Sequence, residues 1–304
     1  MLTPWGDLPV ADSHVHFFSH NFFTLLGAQR GGASVEELGR ILSWEMPPAD
    51  PRELASQWAA ELDRHGVATA SLIASLPGDH LSVAAAVEAF PNRFHGYFMV
   101  NPIADGALGA VEKLAGAGSL CAVCFFPAMH RYSIQDDRVA AICGLLSGRP
   151  NTLAFVHCGL LSVGVRQKLG LASPFDMRFS NPIDVHGLAV RFPNLPFVIP
   201  HFRAGYFREA LMLCDLCANV YLDTSSTNNW IKYITPACSL RDVFRQALGV
   251  AGPGRLLFGT DSSFYPRGWH RAVFEEQAAL LYDLGVSVDD ARAIFGGNLT
   301  RLLG

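Results

Sequence analysis

Apolar positions along this chain repeat on two periods. Short, nearly continuous apolar runs fall at 9–15, 69–75, 96–101, 122–126, 153–157, 197–201, 220–224 and 256–260. Runs such as F-V-I-P and R-L-L-F-G have the unbroken hydrophobicity of parallel strands covered on both faces. Between the runs, apolar residues recur at the helical spacing. P-R-E-L-A-S-Q-W-A-A-E-L-D-R-H-G shows it, with Pro51 at its start and Gly66 past its end, the usual punctuation of a helix. L-S-V-A-A-A-V-E-A-F, A-L-G-A-V-E-K-L-A and D-D-R-V-A-A-I-C-G-L-L repeat it, as do 183–192, 207–217, 240–248 and 272–284. Eight strands alternating with helices predict an α/β fold, a closed (β/α)₈ TIM barrel filling residues 1–304 as one domain. An open, doubly wound sheet would need a glycine-rich phosphate turn after its first strand. Here that strand ends in D-S-H-V-H.

Three connections are long: 17–50, 158–180 and 225–239. All follow strands, so in a barrel all stand at the C-terminal face, where active sites are built. Loops of this length in a compact domain usually carry function.

Composition narrows the class. Half of the 304 residues are hydrophobic (50%) and 16% are charged, which suits a large core. The net charge of −4 is mild and nothing favours nucleic acid, whose binders usually show a basic stripe or face. No apolar stretch reaches the roughly 18 residues of a spanning helix, and M-L-T-P-W-G-D-L-P lacks the basic and apolar regions of a signal peptide. A cytoplasmic location is therefore expected, with the seven cysteines reduced. Of the two C-x-x-C pairs, Cys121 and Cys124 lie on a strand, where residues three apart face opposite sides. Cys214 and Cys217 lie on an amphipathic helix. Both pairs read as small buried thiols.

The candidate chemistry sits at the strand ends. His14 and His16 are two apart, so on a strand both imidazoles face the same way. Two neutral nitrogens and a carboxylate are typical of a catalytic zinc site. On its own, H-x-H reads equally well as two buried histidines bonded to backbone. The fifth strand, however, ends at His157, the sixth at His201 and the eighth runs into Asp261. In a barrel these ends converge on one rim. Burying four imidazoles with a carboxylate is costly unless they are paired or coordinated.

This arrangement resembles the amidohydrolase superfamily, in which H-x-H lies on strand one, histidines on strands five and six, and aspartate on strand eight. The ending A-R-A-I-F-G-G-N-L-T-R-L-L-G is similar to the C-terminal helix of its amidohydrolase-related branch, whose members read I-x-G-x-N-A-x-R-L. The resemblance covers nearly the whole chain. It implies a distorted barrel, one divalent metal held by His14, His16, His157 and Asp261, and a catalytic His201. The branch includes aminocarboxymuconate-semialdehyde and resorcylate decarboxylases, lactone hydrolases, hydratases and carbon–carbon bond hydrolases. After the sixth strand the chain reads H-F-R-A-G where many members have H-x-G-G. Binuclear members bridge two ions with a carbamylated lysine ending strand four. This chain's three lysines, Lys113, Lys168 and Lys232, lie elsewhere, so a single ion is expected. Zinc suits the N/O ligand set best.

Asp261 is placed to take a proton from an attacking water, and His201 to stabilise an oxyanion or protonate a leaving group. Arg203 suits bidentate pairing with a substrate carboxylate, and an ordinary loop salt bridge equally well. Arg30, Arg166, Lys168, Arg178, Asn228, Trp230, Lys232, Tyr265, Arg267 and Trp269 share these loops. Arg203, Trp230 and Tyr265 are the expected substrate contacts, and the substrate is expected to be a small anion. Hydrolysis by an activated water is the first reading, non-oxidative decarboxylation the second, and a barrel that only binds a ligand or partner the third. A homo-oligomer is left open.

Overall fold

All eight expected strands form in the computed structural model: β1 Val10–His16, β2 Val67–Ala74, β3 Phe94–Val100, β4 Leu120–Phe125, β5 Leu153–Val156, β6 Phe197–Ile199, β7 Val220–Asp223 and β8 Leu256–Leu257. They pair in chain order, each parallel to the next. Backbone bonds from Ser13 N to Phe258 O (2.8 Å), Asp261 N to His14 O (3.0 Å) and His16 N to Ser262 O (2.7 Å) close β8 onto β1. The structure describes the chain apart from 226–229 and 235–236, and describes Arg203 through its backbone alone.

A helix follows each strand: Pro51–His65, His80–Ala89, Ala107–Gly116, Asp137–Ser147, His186–Arg191, Phe207–Leu216, Leu240–Val250 and Arg271–Asp283. The first illustrates why. The Asp50 side chain accepts from Arg52 N, Pro51 begins the helix, and Gly66 ends it at φ 69°. Leu54, Ala55, Trp58 and Leu62 form the face buried against the barrel. Inside the barrel, Ile73, Tyr97, Met99, Cys124, Phe155, Val198 and Leu257 pack with Leu299 and Leu303 of the C-terminal helix. The I-F-G-G-N motif has a physical basis. A Cβ on Gly296 would lie 3.0 Å from Pro9 O, and Asn298 donates at 2.8 Å to both Pro253 O and Leu256 O, anchoring β8.

Two expectations are corrected. The 17–50 connection is largely helical, with His20–Gln29 capped by Ser19 and Val35–Leu42 capped by Ser34. Phe22, Phe23, Leu26, Val35, Leu38 and Leu42 join Val165 and Leu169 of the 158–180 connection in an apolar cluster separate from the barrel core. This roof over the C-terminal face is a small core in its own right. β8 and β6 are also shorter than their apolar runs, ending at Leu257 and Ile199. The chain beyond both turns through left-handed residues, His201 at φ 59° and Asp261 at φ 59°.

Candidate metal centre

β1 reaches the rim through a bulge. Asp12 pairs with Ala70 and Val15 with Leu72, so β1 spends one residue more than β2 over this stretch. A bulge breaks strict alternation and re-aims side chains. Ser13 and His14, consecutive in sequence, both reach Asp223, at 2.7 Å from Ser13 Oγ and 3.4 Å from His14 Nδ1. Asp12 turns outward instead, accepting from Trp269 Nε1 at 2.8 Å and from the Thr260 hydroxyl.

His14 and His16 meet nitrogen to nitrogen, Nε2 to Nε2, at 3.4 Å. Asp261 Oδ1 stands 3.1 Å from His16 Nε2 and 3.6 Å from His14 Nε2. The far nitrogens are occupied. Ser75 donates to Ile73 O, so its oxygen accepts from His16 Nδ1 at 2.6 Å. Ser225 donates to Asp223 Oδ1 and accepts from His14 Nδ1 at 3.0 Å. With both Nδ1 atoms carrying protons, both Nε2 lone pairs and the Asp261 carboxylate face one another with no proton between them. His14 is buried and His16 and Asp261 are partly so, and the N/N/O donor set fits a divalent metal.

His201 is held similarly, its Nδ1 donating towards Ser225 O at 3.2 Å and Ser225 Oγ at 2.9 Å. With Asp223 and His14 it forms a second group of three metal-capable residues. His157 belongs to neither group. Its ring stands 5.3 Å from His201 and stacks on Phe126 at 5.0 Å. His14, His16, His157, His201 and Asp261 nevertheless line one cavity of about 580 Å³.

Metal ligation requires neutral imidazoles and ionised carboxylates, and every group here except His14 is shifted that way. Burial pushes His16 down, outweighing Asp261, and it pushes His157 well down, helped by His201 and His14. Burial and the neighbouring His14 likewise lower His201. His14 is lifted, because Asp223, Asp261 and Asp12 outweigh its burial. Burial would raise both Asp261 and Asp223. Contact with the His16, His14 and His201 imidazoles holds Asp261 well below the usual carboxylate range, and His14 and His201 bring Asp223 to about 2.

Asp223 and Ser225 were not anticipated. Asp223 ends β7 fully buried, and the signal was the apolar run Y-L-D stopping at a carboxylate. Among the expected substrate contacts, Trp230 is buried against Phe207, and Tyr265 packs on Trp58. Neither lines the cavity, because both rings join the outer core. Arg203 closes the turn that carries His201, and its side chain lies outside the described residues, as does Asn228. Of the other loop residues, Arg166, Lys168 and Arg267 line the cavity. Arg30 donates to Leu169 O, Arg178 pairs with Asp176 and Lys232 lies over Tyr233. Trp269 is the partner of Asp12.

The family model for amidohydrolase matches residues 11–304, and the chain belongs to this family. Protein fluG of Emericella nidulans is 31% identical over 87 residues, 29% of this chain and 10% of that protein, so the chain spans only a small part of this curated relative. Solved structures share the fold. An uncharacterised TIM-barrel protein from Bordetella bronchiseptica superposes with TM-score 0.65 at 20% identity, covering 97% of this chain and 98% of its own. A probable 2-pyrone-4,6-dicarboxylic acid hydrolase from Acinetobacter baumannii, with citric acid bound, gives 0.61 at 14% identity, covering 98% and 100%. The 5-carboxyvanillate decarboxylase of Novosphingobium aromaticivorans, with manganese and a nitrobenzoic acid, gives 0.61 at 13%, covering 97% of each chain. Among the described residues no helix is long and apolar enough to cross a membrane.

Proposed function

We propose that this protein is a metal-dependent hydrolase of a small carboxylated substrate, with one divalent ion, zinc by preference, held by His14, His16, His157 and Asp261. The observation that carries this reading is the convergence of His14 Nε2, His16 Nε2 and Asp261 Oδ1 with both Nδ1 atoms engaged elsewhere. A divalent ion held there would lower the pKa of a bound water to about 7 and polarise a substrate oxygen. Asp261, beside that ion, would take the proton from the attacking water. His201 donates through Nδ1 to Ser225, which leaves the Nε2 lone pair to take up the proton released by the water and pass it to the leaving group. Arg267 and Lys168 on the cavity wall favour a carboxylate.

Decarboxylation with the same ligands is the second reading, supported by the aromatic cavity wall and by the shared fold of the carboxyvanillate decarboxylase. Elemental analysis of protein prepared without chelators should find about one ion per chain. Two ions, or none with full activity, would refute the mononuclear site. Turnover of lactones and amides against CO₂ release from aromatic and unsaturated acids separates the two reactions.

A further inference from the structure

The cavity has a second end. Starting at Phe18, whose ring lies 5.5 Å from that of His16, its wall continues through Phe22, Leu26, Trp44, Val165 and Phe264. These side chains come from three different connections: after β1, after β5 and after β8. Their ring faces run nearly parallel. Phe18 stacks on Phe22 at 4.2 Å and 4°, Trp44 on Phe264 at 3.9 Å and 8°, and Phe18 faces Trp44 at 6.3 Å and 17°. Lys168 Nζ lies 5.2 Å from the Trp44 ring centre and the Arg267 guanidinium 4.6 Å from that of Phe264. Cations on ring faces hold such plates in place.

We infer that this arm is a subsite for a flat apolar group, an aromatic ring or a conjugated chain, carried by the substrate on the side away from its reacting bond. The inference rests on the reading of the histidine cluster as the reaction centre. At about 580 Å³ the cavity is in the range that houses ligands far larger than a short-chain acid. Phe22 and Leu26 are buried in the roof, whereas Phe18, Trp44 and Phe264 keep part of their surface open and line the cavity. Apolar surface left open to water is unfavourable, and a ring laid against the open parts of these side chains removes it. Lys168 and Arg267, on the same wall, suit an anionic substituent on that ring.

The test is calorimetric titration of the metal-replete protein with 3-phenylpropionate and with propionate, which share a carboxylate and differ in the ring. The phenyl acid should bind about tenfold or more tightly, the scale of burying one aromatic ring. Val163 lines the cavity two residues before Val165 and is partly open, so Val163→Trp and, independently, Phe18→Ala, which removes a wall ring, should cut that advantage to about threefold or less, with metal content unchanged. Equal affinities in the unmodified protein, or an advantage intact in both variants, would overturn the subsite. The readout is a ratio between two acids, so it is measurable even in a protein that binds no metal, the result that would instead sink the metal-site reading.

Discussion

The floor and the roof of the cavity are built by different means. The floor is polar and stands on strand ends. Asp223 alone accepts from Ser13 Oγ, Ser225 N and the Ser225 hydroxyl while holding His14, all at the ends of β1 and β7. The roof is apolar, stands on two connections and packs mainly on itself. Reacting groups need placement to a fraction of an ångström, which a closed sheet supplies. Substrate selection tolerates variation, and loops supply it. Changes in the floor should therefore abolish chemistry at little cost in fold, and changes in the roof should do the reverse.

The largest expected effect is in the floor. His14→Ala should strip the metal and lower kcat/KM by about 10³-fold or more, since a ligand and its charge balance are lost together. His157→Ala should weaken the metal less, because His157 stands outside the tight trio. His201→Asn should retain the metal while kcat falls about 10²-fold. Metal analysis beside kinetics checks all three, and equal metal loss in His14→Ala and His201→Asn would reverse their assigned roles.

Next is the support beneath the ligand. Asp223→Asn removes the charge that holds His14 Nδ1 and should weaken metal binding about 10–100-fold, the usual cost of losing a ligand's hydrogen-bonded partner. Competition with a chelator measures it, and unchanged affinity would mean that Ser225 alone orients the ring.

In the roof, Leu38 is fully buried, and Leu38→Ala should cost about 2–5 kcal/mol locally. If roof and barrel are separate cooperative units, amide exchange should rise across His20–Gln29 and Val35–Leu42 and stay slow in the strands. Uniform acceleration across the barrel would erase the distinction drawn here.

The smallest effect concerns the turn after β6. Ala204 has φ 33°, a left-handed conformation that favours glycine, while the buried Phe202 ring packs on Phe207 and Phe244 and fixes the turn. Ala204→Gly should raise stability by about 1 kcal/mol, or Tm by about 2 °C. A lower Tm would show that chain entropy outweighs the relieved strain.

Much of this molecule was legible in the order of its residues. Eight apolar runs gave eight strands because a strand buried on both faces must be apolar throughout, whatever its neighbours are. The two-residue spacing of His14 and His16, and the placing of His157, His201 and Asp261 after apolar runs, pointed to one rim because a barrel brings its strand ends together. Ser19 and Ser34 cap the roof helices, a local signal within a connection whose length alone predicts a loop. Tertiary structure alone decided the rest. Ser13 and His14 share Asp223, 210 and 209 positions away, through a bulge that strict alternation forbids. Trp230 and Tyr265, polar-tipped rings on the right loops, turned into the outer core. Periodicity reports which way a side chain points relative to its own backbone. Which partner it meets there depends on register, bulges and turns, and those are settled only when distant segments pack.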